Sequence, residues 1–291
     1  MGYPEGFKEL VVFVSKEKIP LAKGKDIWDK FCRAAFIGKG RSDAEISFLI
    51  KILKKQLDYA YILKTSGEDW RNEIEKFLKE RLSRIQDEDI QILFQGLLKD
   101  LFYLTATLKG GARFFERKKI FDEIDNLTKT KDLTNELIEE IVEDKDFSGM
   151  RYAKTIIWLQ STGRAKDFAP PTRHLKSFLN SDIGPYYSYY EDDAYFMKKA
   201  KEIKKDFSKT SLMDIYRAIF FYRTFKSIFP RGNKFTPKKL LQFMKKKKIT
   251  VKKLSEMLSD MDEREELSEQ LLKYYRLARS ALMITATSKT S

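Results

Sequence analysis

Residues 133–178 read LTNELIEEIVEDKDFSGMRYAKTIIWLQSTGRAKDFAPPTRHLKSF, and the rest of the chain is organised around them. Leu133, Leu137, Ile138, Ile141 and Val142 recur at helical spacing. A short acidic break containing Gly149 follows, and a second helix begins near that glycine with Ala153, Ile156, Ile157 and Leu159 on its apolar positions. Gly163 and the Pro170-Pro171 pair then lead into a third, basic amphipathic segment. Two helices joined by a tight hairpin can present backbone N–H groups to a phosphate, because the start of the second helix has unpaired donors and a positive dipole end.

Composition narrows the chemistry. Of 291 residues, 57 are Lys or Arg and 43 are Asp or Glu, a net charge of +14 that attracts polyanions. Apolar residues make up 42%, enough to bury a sizeable core. The single cysteine, Cys32, excludes an internal disulfide and a cysteine-based zinc site. The single histidine, His174, excludes a zinc site built from several histidines. No long uncharged apolar run predicts a membrane span, and the first residues lack the pattern of a secretory signal. The expectation is a cytoplasmic, nucleoid-associated protein without membrane contact.

Taken in order, residues 10–14 (LVVFV) are the one β-like run, read as a short strand or an N-terminal strap. Ser42 and Glu45 have capping-box spacing and predict a long helix with Ile46, Ile50, Leu53, Leu57 and Tyr61 on one face. Thr65 or Ser66 caps the next helix. Residues 87–108 predict another, which Gly110-Gly111 is expected to break. Gly184-Pro185 opens a tyrosine-rich stretch, read either as a helix start with half-buried aromatics or as rings for stacking on bases. Ser211 and Asp214 cap a very apolar helix. Residues 226–253 then carry 11 basic residues and no acidic one. A final helix pair spans 251–283. The fold class is all-α. The boundaries drawn are an N-terminal segment 1–40, a helical core 41–225 containing the hairpin, and a basic helical extension 226–291.

Around the hairpin, Gly149-Met-Arg-Tyr-Ala-Lys154-Thr-Ile-Ile-Trp-Leu, followed by Ala-Pro-Pro-Thr-Arg-His-Leu-Lys-Ser-Phe, resembles the helix-hairpin-helix DNA glycosylase superfamily. The likeness is nearest to the archaeal 8-oxoguanine DNA glycosylases, whose Ala-Lys-Thr followed by apolar residues is similar to Ala153-Lys154-Thr155-Ile156-Ile157. Leu57–Trp70, with its Gly-Glu-x-Trp turn, and Leu212–Phe220 resemble further segments of the same enzymes, so the likeness covers roughly residues 45–225. The sequence departs from the family at two points. The essential Asp is due near Pro171 or Thr172, where there is no carboxylate; Asp167 is the nearest, and Asp182 lies downstream. The hairpin also carries Gly149 without the usual Gly-x-Gly pair.

The resemblance implies a helix-hairpin-helix, glycosylase-like helical fold with a basic C-terminal helical extension. It implies base-excision repair with AP-lyase activity, Lys154 being the nucleophile that forms a Schiff base with the sugar C1′ of an extruded nucleotide. Asp167 would stand in for the missing carboxylate, and Arg151 would help to lower the Lys154 pKa. The expected DNA contacts are Gly149, Arg151, Arg173, His174 and Lys176, with Lys245, Lys246, Lys247 and Lys248 tracking the backbone. No metal or other cofactor is implied. DNA is the expected partner and RNA an alternative. Set against this are two readings without chemistry: a nucleic-acid-binding protein on the same scaffold, in which Lys154 is a solvated or phosphate-contacting lysine, and a nucleic-acid-contacting subunit of a larger assembly. His174 is read as a phosphate contact or a structural hydrogen bond, and Trp70 and Trp158 as core.

Overall fold

The computed structural model describes residues 2–38, 40–182, 193–229 and 235–287, with only the backbone at 194 and 276–287. The tyrosine-rich stretch after Gly184, and Arg231 and Lys234 of the basic run, lie outside the described residues. Those that are described are all-α, with no strand among them. The chain opens with α1 (Phe7–Ser15). It continues through α2 (Lys25–Phe36), α3 (Asp43–Ile52), α4 (Tyr59–Lys64), α5 (Gly67–Leu82), α6 (Glu88–Arg117), α7 (Ile120–Leu127), α8 (Lys131–Glu143) and α9 (Tyr152–Ser161). Then come α10 (Arg173–Ser181), α11 (Asp193–Lys204), α12 (Leu212–Ile228), α13 (Pro237–Lys246), α14 (Val251–Leu258) and α15 (Met261–Thr287).

These helices form two compact units. The central unit is Lys18–Pro170, and the other combines Met1–Glu17 with Pro171–Ser291. The division falls at 17/18 and 170/171, so the segment 41–225 contributes to both units and α1 belongs with the C-terminal helices.

In the central unit α2, α6 and α9 enclose an aromatic core of Trp28, Phe31, Phe115 and Trp158, all buried. The indole N–H groups are satisfied on backbone carbonyls: Trp28 donates to Leu57 at 2.7 Å, Trp158 to Ile27 at 3.2 Å and Trp70 to Gln56 at 2.7 Å. Three caps read from the sequence are present, at Ser42 as a full capping box, at Ser66 and at Ser211. The helix after Ser42 is short, ending at Ile52, and the chain turns before α4 begins.

Two expectations are corrected. Gly110-Gly111 does not end a helix, because α6 runs through both. A Cβ at Gly110 would stand 1.9 Å from the Asp146 carbonyl oxygen, and one at Gly111 would stand 2.3 Å from the Phe31 ring. These glycines are the price of close packing, not breaks. Residues 10–14 are not a strand either, since they lie within α1. Phe7, Leu10, Val11 and Val14 are fully buried at i, i+3, i+4 and i+7. That helical stripe decides the conformation over the β propensity of the valines.

In the other unit α1 packs on α12 and α13, and α10 on α12. Phe7 meets Phe178 at 4.6 Å between ring centroids, and Phe229 stacks on Phe235 at 4.4 Å. At the end of α10, buried Asp182 accepts from the Tyr222 hydroxyl at 3.2 Å, from Arg223 at 2.9 Å and from the Lys226 ammonium. This carboxylate is spent on holding α12. The adjacent burial and negative charge push the Tyr222 phenol far above its ordinary range.

Candidate functional site

α8 and α9 form the hairpin, joined through residues 144–151. Its apolar anchors, Phe147 and Met150, are buried. Asp144 accepts the Asp146 backbone N–H at 2.9 Å and an Arg117 N–H at 2.6 Å. Gly149 has φ +90°, a left-handed conformation, and a Cβ there would stand 2.6 Å from the Thr107 hydroxyl oxygen. That hydroxyl lies between the carbonyls of Tyr103 and Ser148, tying the hairpin tip to α6. The helix starts at Tyr152 rather than at Gly149. Arg151 is its exposed N-cap, and its first turn holds no acid.

Lys154 sits in that first turn, half-buried, and its amine donates to the Ala35 carbonyl at 2.9 Å. Its pKa is pushed down to about 8. Burial is the main cause, the Arg41 guanidinium adds to it, and Asp100 opposes it. The positive end of the α9 dipole acts in the same direction as burial. Arg41 in turn donates to the Phe36 carbonyl at 3.4 Å and pairs with Asp100 at 2.5 Å, both side chains being nearly buried. Lys154 and Arg41 therefore also satisfy carbonyls at the C-terminal end of α2, which a helix leaves without partners. The cation acting on Lys154 is Arg41, where the sequence pointed to Arg151.

Asp167 lies elsewhere. It lines a depression of about 300 Å³ with Asp125, Lys129, Lys131, Arg164 and Lys166, at the end of α9 remote from Lys154. At ~1.5 Å per residue, the helix separates the two ends by about 15 Å. The structure does not bring Lys154 and Asp167 together; the carboxylate near Lys154 is Asp100.

The remaining expected contacts fall in the other unit. Arg173 is exposed at the start of α10. The His174 ring packs edge-on against Phe220 at 5.1 Å. Lys176 pairs with Asp193 at 3.1 Å and lies over the Phe196 ring at 4.8 Å, so its charge is already engaged. Lys245, Lys246, Lys247 and Lys248 are exposed at the C-terminal end of α13. There cations offset the helix dipole. Lys248 turns the chain at φ +53°, and the Ile249 N–H closes the helix on the Met244 carbonyl at 2.8 Å. Among the described residues no group of His, Cys, Asp and Glu is placed to hold a metal ion, and no helix is long and apolar enough to cross a membrane.

No family model, curated protein or solved structure matches this chain.

Asp100 and Arg41 are the residues that reading the sequence missed. A signal for the first was present. Leu93, Leu97, Leu101 and Leu104 mark the buried stripe of α6, and Asp100 interrupts it with a carboxylate at a core position. A charge there demands a paired cation. Nothing in the sequence names Arg41 as that cation, because the pairing spans 59 residues.

Proposed function

We propose that the protein is a DNA-binding enzyme of the base-excision type, in which the Lys154 amine attacks the sugar C1′ and forms a Schiff base. The state of that amine carries the reading. With a pKa of about 8, roughly a tenth of it is neutral at pH 7, against a few in ten thousand for an ordinary lysine. At an abasic site the neutral amine adds to the C1′ aldehyde, water leaves, and an iminium remains. To reach the sugar, the amine must release the Ala35 carbonyl. Arg41 keeps the neighbourhood positive and disfavours reprotonation, while Asp100 holds Arg41 in place. The net charge of +14 supports a polyanionic substrate, and the likeness around Lys154 supports DNA with a damaged purine such as 8-oxoguanine.

A second reading rests on the Lys154–Ala35 hydrogen bond. If capping α2 is all that Lys154 does, the protein is a nucleic-acid-binding module without chemistry.

Borohydride trapping on duplex DNA carrying 8-oxoguanine or an abasic site separates the two. The catalytic reading expects a covalent adduct that Lys154→Gln abolishes. Asp100→Asn is expected to reduce it and Asp167→Asn to leave it unchanged. Absence of any adduct on the abasic duplex, with salt-dependent binding intact, would overturn the Schiff-base reading, and absence of base release from the 8-oxoguanine duplex as well would leave the binding module.

A further inference from the structure

Among the described residues, one face of α6 is left uncovered. Ile92, in the second turn of α6, and Phe102 and Tyr103, at its middle, are 66%, 65% and 61% exposed, high values for large apolar side chains. Phe102 and Tyr103 pack edge to face at 5.8 Å, which holds the two rings as one unit. Positions 92, 96, 99 and 103 share one helical face. Gly96 leaves a gap in it, since a Cβ there would meet nothing.

The charges on this helix point to the kind of partner. Between Ile90 and Phe115 its only acid is Asp100, which is buried against Arg41. Lys109 is spent on the Ile62 and Thr65 carbonyls at the end of α4. Lys99 and Arg113 are exposed. Along α6 itself, aromatic rings and cations therefore stand with no exposed carboxylate between them. A protein partner needs only the apolar part of such a face. A polyanion whose units carry flat π surfaces uses both parts.

The position on the helix adds a second argument. Tyr103 is one turn beyond Asp100, whose charge acts on Lys154, and one turn before Thr107, which holds the hairpin tip at Ser148. The rings thus lie on the same stretch of α6 as the contacts of the hairpin and of the lysine, all within the central unit.

We propose that Phe102 and Tyr103 form a stacking platform for unpaired nucleobases, with Lys99 and Arg113 receiving the adjoining phosphates. The proposal deepens the nucleic-acid reading above and rests on its binding half, not on the chemistry of Lys154. Stacking on a ring is indifferent to sequence, so the platform favours strands with bases out of the duplex over intact duplex.

The test is fluorescence anisotropy with a labelled 12-nucleotide single strand, the matched duplex, and the duplex with one abasic position. The full chain would be compared with the Phe102→Ala/Tyr103→Ala double variant at several salt concentrations. The double variant should bind the single strand and the abasic duplex at least about tenfold more weakly, with an unchanged salt slope because no charge is removed. Phe102→Tyr and Tyr103→Phe, which keep the rings, should bind within about twofold of the parent, as expected if loss of stacking and not of folding causes the effect. Equal affinity of parent and double variant would overturn the proposal. So would a change in sedimentation without a change in DNA affinity, which would make the face a protein contact. Failure of the lyase reading looks different: no adduct with the parent protein, yet affinity still lost in the double variant.

Discussion

Lys154 and the run Lys245–Lys248 are the same side chain in two opposite settings. Lys154 is half-buried at the positive end of α9 beside a guanidinium, and its amine is driven toward the neutral form. The run sits exposed at the negative end of α13, where a charged ammonium is at home. A lysine becomes a nucleophile by losing its charge and a phosphate contact by keeping it, so position along a helix separates the two uses.

The largest expected effect is on covalent chemistry. Lys154→Gln should lower adduct formation on abasic duplex by at least about a hundredfold, as removal of a nucleophile does. Replacing Lys245, Lys246, Lys247 and Lys248 together by Ser should leave the adduct yield unchanged at saturating DNA. An adduct that survives in Lys154→Gln would break the contrast at once.

Acidity gives the next test. At saturating DNA, the trapping rate should rise about tenfold from pH 6 to pH 7 and level off above the Lys154 pKa of about 8. The same shift acts on stability. The folded-state pKa lies below the unfolded value of 10.5, so the unfolded chain holds more protons between the two. Stability of the parent should therefore rise with pH from about 8 to 10.5, and the burial penalty is fully present below 8. Lys154→Gln should lack that rise, so denaturant-melt differences between the two proteins should move by about 2 kcal/mol across the window, allowing for the partial exposure of the amine. A flat difference would place the amine in water.

Gly110→Ala probes the packing that holds Lys154 without touching the run. The added methyl collides with the Asp146 carbonyl, so a loss of about 3 kcal/mol in stability is expected, together with weakened trapping. Full stability in this variant would mean that the hairpin does not press on α6.

The smallest effect falls on the run. Each phosphate contact removed should reduce the slope of log affinity against log salt by about 0.9, while stability changes by less than about 0.5 kcal/mol. An unchanged slope would remove the run from the DNA contact and leave it as a solvated helix end.

Much of the helical framework was legible because its signals are local. The Ser42–Glu45 box, the Ser66 and Ser211 caps and the apolar periodicity of α8, α9 and α12 each lie within a few residues. Residues 10–14 misled because a window of five shows valine propensity, whereas the stripe that matters begins at Phe7. Gly110-Gly111 misled because a glycine that admits a neighbour and one that ends a helix look alike without the neighbour. At the candidate site, the helices on either side of residues 144–151 were legible, and the side chains that surround Lys154 were not. Asp167 was chosen by nearness in sequence, but α9 carries it away from Lys154, while Asp100 arrives from a different helix.

The course of the chain between its two units has a consequence for synthesis. Every residue of the unit 18–170 has been made before α10 to α15 are synthesised. α1, although made earlier, must wait for α12 and α13, and the Lys238 N–H that bonds the Glu5 carbonyl at 3.0 Å comes 233 residues afterwards. Contacts between residues so far apart in sequence form late. Until they form, the apolar stripe of Phe7, Leu10, Val11 and Val14 has no cover. During that interval α1 presents an uncovered apolar stripe, the stage at which a chaperone would find most to hold.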